Sequence, residues 1–238
     1  MIKVERISKS FKDTQVLHSI SFEIKQGDFV AVMGPSGSGK STLLYSVSGM
    51  DSLSEGSVLF EGVNLSQMPE DELSKFRLTK MGFVFQNAQM LKNLSIFDNI
   101  VLPGLVAKKE SAADIRKRAL ELMTRMEIEG IKDHDIREVS GGQLQRASIC
   151  RAMINNPDIL FLDEPTGALN SSATDQVLQI LDDLNREGMT IMTITHNPHV
   201  ALQAKKVIYL KDGQIAASKE FMADEDRVQV LDELLKEF

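Results

Sequence analysis

Hydrophobic and polar positions change rhythm several times along this chain, and each change marks an element. In SISFEIKQGD the apolar Ile20, Phe22 and Ile24 alternate with Ser21, Glu23 and Lys25, the period-two pattern of a half-buried strand. Gly27 and Asp28 then make a turn. FVAVM (29–33) follows as an unbroken apolar run, which predicts a strand covered on both faces. GSVLFEGVNL (56–65) reads as a strand turning at Gly62, and MGFVFQ (81–86) as a strand that ends in Gln86. A helical period takes over at 110–129, where Ile115, Ala119, Leu122 and Met126 recur among charged residues. A further helix is predicted from about Gly141, with Leu144, Ala147, Cys150 and Ile154 facing inward. DILFLDE (158–164) is another buried-strand run, and LQILDDLNREG (178–188) an amphipathic helix closed by Gly188. MTIMTITH (189–196) predicts a strand ended by His196, and KVIYLKDGQIAAS (206–218) a hairpin around an Asp-Gly turn. In the tail from 222, Val228, Leu231, Leu235 and Phe238 share one helical face.

Strands alternating with helices between 29 and 196 imply an α/β fold with a mainly parallel core sheet. The early alternating strands imply an additional, smaller antiparallel β subdomain. The helical stretch at about 95–150 lies between two core strands and implies an inserted α-helical subdomain. The expected organisation is one body over 1–220 followed by an acidic helical tail, 221–238. Composition adds exclusions. With 42% hydrophobic residues among 238, the chain has enough apolar surface for a sizeable core. No apolar run approaches the ~18 residues of a membrane span, and MIKVERISKSF has no apolar segment after its charges, so no secretory signal is expected. Cys150 is the one cysteine, which excludes an internal disulfide framework and suits a reducing, cytosolic compartment. The net charge of −7 argues against a nucleic-acid binder held mainly by phosphate neutralisation, although it leaves room for a local basic patch.

The strongest chemical signal is GPSGSGKST (34–42), the pattern G-x-x-x-x-G-K-[ST] between a buried strand and a helix-like segment. Gly34, Gly37 and Gly39 let backbone N–H groups point at phosphate oxygens, and Ser36, Ser38 and Thr42 lie in the same loop and helix start. The helix N-terminus adds partial positive charge. Lys40 would reach the outer phosphates and the Ser41 hydroxyl would bind Mg²⁺. This predicts a P-loop NTPase, without separating kinases, GTPases, helicases and transport ATPases.

At the end of ILFLD, Asp163 is a candidate for the Mg²⁺ shell and Glu164 for polarising an attacking water. The plainer alternative is a strand leaving the core through two solvated acids. Gln86 is a further candidate contact to metal or water, or simply a polar strand terminus. His196 would lie at the same sheet edge as Asp163, where it could donate a hydrogen bond to a terminal phosphate. His18, His134 and His199 carry no such argument.

REVSGGQLQRAS (137–148) raises a second question, because Ser140, Gly141, Gly142 and Gln143 open a helix that is also ready for an anion. Paired glycines at a helix start cost stability, and close approach to a phosphate is one reason to keep them. A second anion-seeking helix end can serve the nucleotide of another copy. Two copies in twofold arrangement satisfy this reciprocally, so that binding drives association and hydrolysis loosens it.

GPSGSGKST, Gln86, VSGGQ, LFLDEP and His196 together, in this order, resemble the ATP-binding subunits of ABC transporters over about residues 1 to 220. The resemblance implies a nucleotide-sandwich homodimer around two Mg-ATP, coupled to an integral-membrane permease at the cytoplasmic face of a bacterial membrane, with no nucleic-acid partner. It implies that Phe11 stacks on adenine, the alternative being an ordinary core aromatic. Gln86 would sense the metal, Ser140 and Gly142 would act in trans, Glu164 would be the catalytic base, and His196 the switch histidine. EPTGALNS and GFVFQNAQMLKNLSIFDNI look like subunits whose permeases act on lipoproteins, macrolides or antimicrobial peptides, with bacitracin-type resistance systems nearest. Two positions depart from the usual pattern: Val139 replaces Leu, and Asn170 stands where many relatives have Asp. Met90, Leu91, Leu94 and Phe97 are either a docking surface for the permease or local core. The second functional class is a soluble ABC-type ATPase of DNA repair or translation, which works without a permease. The third is a regulatory subunit that holds ATP without turnover.

Overall fold

The computed structural model describes residues 1–222 and 225–237. The alternating N-terminal pattern forms β1 (Ile2–Phe11) and β2 (Thr14–Ile24), and the apolar run forms β3 (Phe29–Met33), buried at all five positions. Helix α1 (Lys40–Val47) follows the phosphate loop, and Gly49 lies just past its Ser48 C-cap. Next come β4 (Glu55–Phe60), the two-residue β5 (Val63–Asn64), α2 (Glu70–Lys80) and β6 (Met81–Val84). The helices α3 (Ile96–Ala107), α4 (Ala112–Arg125) and α5 (Gly141–Met153) precede β7 (Ile159–Asp163). The chain continues through α6 (Ser171–Arg186), β8 (Thr190–Ile194), α7 (Pro198–Gln203), β9 (Lys206–Lys211), β10 (Gln214–Glu220) and α8 (Arg227–Lys236).

Internal contacts divide the chain into two compact bodies, Met1–Pro69 with the chain from Asn185 onward, and Glu70–Leu184. The first holds an antiparallel sheet in the order β2-β1-β4-β5 and a run of strands β10-β9-β3-β8. There β3 pairs in parallel with β8 (Val32 opposite Ile194) and with β9 (Val32 opposite Ile208). The β9–β10 hairpin turns at Asp212-Gly213, both with positive φ, the conformation an Asp-Gly hairpin turn needs. In the second body β6 and β7 pair in parallel, from Met81 opposite Ile159 to Val84 opposite Leu162. The Lys80–Asp158 ion pair, at 2.8 Å, closes the entry to this pair. Helices α3, α4 and α5 pack on one another in this body.

Several elements differ from the sequence pattern. Strand β6 stops two residues before Gln86. Helix α6 starts at Ser171, seven residues earlier than the apolar period suggests, because Asn170 caps it: its Oδ1 accepts from the Ala173 N–H at 2.9 Å. Helix α2 has no counterpart in the pattern, since Leu73 is its one buried residue. Helix α7, also without an apolar period, is set by the Asn197 cap and Pro198 at its first position. The inward face of α5 carries the polar Gln145 as well as Ala147, Ile149 and Cys150, whereas Leu144 is half-buried. On α8, Leu231 is buried and Leu235 half-buried, but Val228 is exposed; Phe238 lies outside the described residues.

Candidate functional site

In the first body, Gly34 and His196 lie just beyond the paired C-terminal ends of β3 and β8, where the parallel register sets Val32 opposite Ile194. The loop 34–39 is shaped by its surroundings as much as by its composition. A Cβ on Gly34 would stand 2.0 Å from the carbonyl oxygen of Leu210 on β9, so no side chain fits. Gly39 is the N-cap of α1 at φ 97, a left-handed conformation that L side chains resist. The hairpin turn also grips the loop: Gly213 N–H donates to the Ser38 carbonyl at 3.1 Å, and His18 N–H donates to the Gly213 carbonyl at 2.9 Å. Sequence reasoning missed this support from Leu210 and Gly213, because it joins segments about 175 residues apart.

Lys40 Nζ curls back over its own loop, donating to the carbonyls of Gly34 (2.9 Å) and Pro35 (2.8 Å). The Ser38 side chain is buried, and its Oγ has no hydrogen-bond partner among the described residues. An orphaned buried hydroxyl carries a desolvation cost of about 1–3 kcal/mol unless something bonds it. With the open glycine backbone, the exposed Ser36 and Ser41 and the half-buried Thr42, the donor set fits a polyphosphate. Phe11 ends β1 at 47% exposure, with Lys9 Nζ 4.8 Å from its ring centroid. It is therefore not the buried core aromatic of the alternative expectation. His196 is exposed in the tight turn between β8 and α7. That turn is braced by Asn197 N–H donating to Thr195 Oγ1 at 3.0 Å and His199 N–H donating to Asn197 Oδ1 at 2.9 Å.

In the second body, the parallel register of β6 and β7 sends Gln86, Asp163 and Glu164 out of one end of the strand pair. Asp163 closes β7, and Glu164 follows it in the left-handed region, φ 49, which turns its side chain off the strand's alternation. The Gly167 N–H donates back to the Glu164 carbonyl at 3.1 Å. A Cβ on Gly167 would lie 2.9 Å from Gln86 Nε2, so the Gln86 amide rests directly against this turn. Within this body Gln86 and Asp163 offer an amide oxygen and a carboxylate, hard oxygen donors of the kind Mg²⁺ prefers.

The start of α5 is capped reciprocally. Ser140 Oγ accepts from Gln143 N–H at 3.3 Å, while Gln143 Oε1 accepts from Ser140 N–H at 2.9 Å. The Gln143 carbonyl oxygen is thus committed to the cap, a use its place among the ligand candidates does not anticipate. A cavity of about 490 Å³ opens beside this start, walled by Ser140, Gly142, Arg146, Leu169 and Asn170. A Cβ on Gly142 would come 2.9 Å from Ala173 Cβ, so close helix packing is a second reason for that glycine. Among the four candidates for a docking stretch, Met90 is buried, Leu94 and Phe97 are half-buried and Leu91 is 52% exposed.

Residues 17–167 match the family described as "ABC transporter". The uncharacterized ABC transporter ATP-binding protein MJ0796 of Methanocaldococcus jannaschii is 39% identical over 236 residues, which cover 95% of this chain and all of that protein. Its dimeric structure in a post-hydrolysis state, bound to ADP and Pi, superposes with a TM-score of 0.87 at 37% identity, covering 94% of this chain and 100% of that one. The lipoprotein-releasing system ATP-binding protein LolD of Leptospira interrogans is 38% identical, with 93% of each chain covered. The macrolide export ATP-binding/permease protein MacB of Campylobacter fetus is 43% identical over 219 residues, and this chain spans 34% of its length.

Proposed function

This chain belongs to the ABC transporter family, as an ATP-binding ATPase component, and from that premise we propose how its residues share the work. Two copies close in a twofold arrangement around two Mg-ATP, and the pair drives a membrane permease carried on a separate chain. The observation that carries this is the presence of two anion-ready helix starts, one in each body. One is the cradle before α1 with its unpartnered Ser38 hydroxyl; the other is the Ser140-capped start of α5 beside its cavity. One nucleotide needs one cradle, so the second start serves the nucleotide of the other copy. The dimeric MJ0796 structure with ADP and Pi supports both the pairing and the turnover.

Phe11 stacks on the base. The amides of Gly34, Ser36, Gly37, Ser38 and Gly39 receive the phosphates, Lys40 exchanges its two carbonyl bonds for phosphate oxygens, and Thr42 lies at the same helix start. Ser41, Gln86 and Asp163 would hold Mg²⁺, which would supply charge neutralisation on the terminal phosphates. Glu164 orients and deprotonates water, and His196 donates to the charge that develops on the transferring phosphoryl group. From the partner copy, Ser140, Gly141, Gly142 and Gln143 complete the pocket. The likeness to LolD and MacB supports cargo of the lipoprotein or macrolide kind; antimicrobial peptides as further amphipathic cargo, a peripheral place on the cytoplasmic membrane face and a role in resistance complete the reading.

The test is Glu164→Gln. Phosphate release should fall by about 100-fold or more, while Mg-ATP converts the variant to a stable dimer in size-exclusion chromatography. Equal release rates for both proteins would overturn the assignment of the base. A variant that stays monomeric in saturating Mg-ATP would overturn the sandwich.

A further inference from the structure

We propose that Gln145 and Arg151 on α5 are positioning residues for the Gln86 loop, so that the helix opened by Ser140 also sets where Gln86 stands. The inference rests on the assignment of Gln86 as a contact to the metal or the attacking water.

The geometry is a two-point clamp. Gln145 is 3% exposed, and its Nε2 donates to the carbonyl of Phe85, the residue just before Gln86, at 3.3 Å. Arg151 donates to two successive carbonyls just after it, Nη2 to Ala88 at 2.7 Å and Nη1 to Gln89 at 2.8 Å. Further along, the buried Asn99 closes the loop: its Oδ1 accepts from Leu91 N–H at 2.7 Å and its Nδ2 donates to the Leu91 carbonyl at 3.1 Å. Between the fastened carbonyls of 85 and 88 only Gln86 and Asn87 are left to adjust, and both residues are exposed. The Gln86 amide meanwhile sits against Gly167, in the turn that follows Glu164.

The chemistry of the clamp suits holding a backbone and nothing else. No carboxylate pairs with Arg151 among the described residues, and its half-buried guanidinium is turned onto these backbone carbonyls. Burial pulls its pKa below the usual arginine value, yet a guanidinium stays charged at neutral pH. Charge-assisted bonds are the stronger kind, and the planar fork matches two adjacent carbonyls in a way an ammonium does not. Gln145 and Arg151 are six residues apart on one helix, roughly 9 Å along its axis, so the two grips move together. Residues that hold a metal contact from behind commonly matter by about 10- to 100-fold.

The test is a mutant cycle in the full chain with Gln86→Ala, Gln145→Leu and Arg151→Lys, the last keeping the charge while reaching one carbonyl. Each clamp variant should lower kcat by about 10-fold or more and raise the Mg²⁺ concentration for half-maximal rate, with ATP affinity altered by less than about 2-fold. In nucleotide-free protein, amide hydrogen exchange across 86–91 should accelerate in both clamp variants. In the Gln86→Ala background neither clamp substitution should lower kcat further. Independent, multiplicative losses would overturn the proposal, and so would a loss confined to ATP affinity or unchanged exchange in the loop. A Gln86→Ala protein with normal kcat and normal Mg²⁺ dependence would instead sink the role of Gln86 itself, leaving the exchange measurement to judge the clamp.

Discussion

Gly142 and Ala173 hold the starts of α5 and α6 so close that a Cβ on Gly142 would stand 2.9 Å from that of Ala173. Alanine is favoured over glycine inside a helix by about 1 kcal/mol, but overpacking costs about 1–3 kcal/mol. Gly142→Ala should therefore destabilise the protein by about 1 kcal/mol in urea unfolding. In an Ala173→Gly background the clash is gone, and the same substitution should become neutral or stabilising. An identical penalty in both backgrounds would show that helix contact is not what excludes the methyl group.

Asn170 caps α6 and also walls the cavity at the start of α5. Aspartate caps as well as asparagine, so Asn170→Asp should leave unfolding free energy within about 0.5 kcal/mol, whereas Asn170→Ala should cost about 1 kcal/mol. The added negative charge faces the place proposed for the partner's terminal phosphate. ATP cooperativity should change more than single-site affinity, as read by the Hill slope of the ATPase rate. An unchanged slope with a shifted nucleotide Kd would contradict this.

Ser38→Ala separates the cradle's cost from its use. The orphaned hydroxyl gives nothing to the nucleotide-free fold, so its removal should leave thermal stability equal or raise it by up to about 1 kcal/mol. Bonds to charged acceptors are worth about 1.5–3 kcal/mol, so ATP affinity should weaken by at least about 10-fold in a binding titration. A destabilised apoprotein with normal affinity would mean that the hydroxyl serves the fold instead.

Cys150 is buried on α5, and desolvation pushes its thiol up to about 12 from an ordinary value of 9.0. Native protein at pH 8 should react with alkylating reagents roughly a thousandfold more slowly than unfolded protein. The sign for stability follows from proton binding. Between about pH 9 and 12 the unfolded chain loses the thiol proton and the native chain keeps it, so stability falls as pH rises through that window. Cys150→Ser should flatten that part of the pH–stability curve.

What could be read along the chain was whatever depends on near neighbours. The cradle 34–42, the acidic end of β7 and the Asp212-Gly213 turn are set by local backbone geometry, which a few adjacent residue types dictate. Continuous apolar runs located β3 and β7 because a strand buried on both faces has no polar phase to misread. Asn170 stands out in the sequence as a departure from the pattern, but its cap on α6 has no local signal, since the apolar period begins only later in that helix. Helix α2 escaped for a related reason: Leu73 alone faces inward, too little to make a period.

The sequence by itself determined a P-loop NTPase cradle and a second anion-ready helix start, because those motifs are self-contained pieces of backbone. Only the tertiary structure decided which side of α5 turns inward, that Gly142 makes room for Ala173, that Leu210 and Gly213 shape the cradle, and that Gln145 and Arg151 grip the loop of Gln86. Each of those is a contact between residues far apart in the chain. A periodic pattern says that a face exists, but packing against a particular partner selects which polar residue on it finds a bond and which glycine has no room for a methyl group.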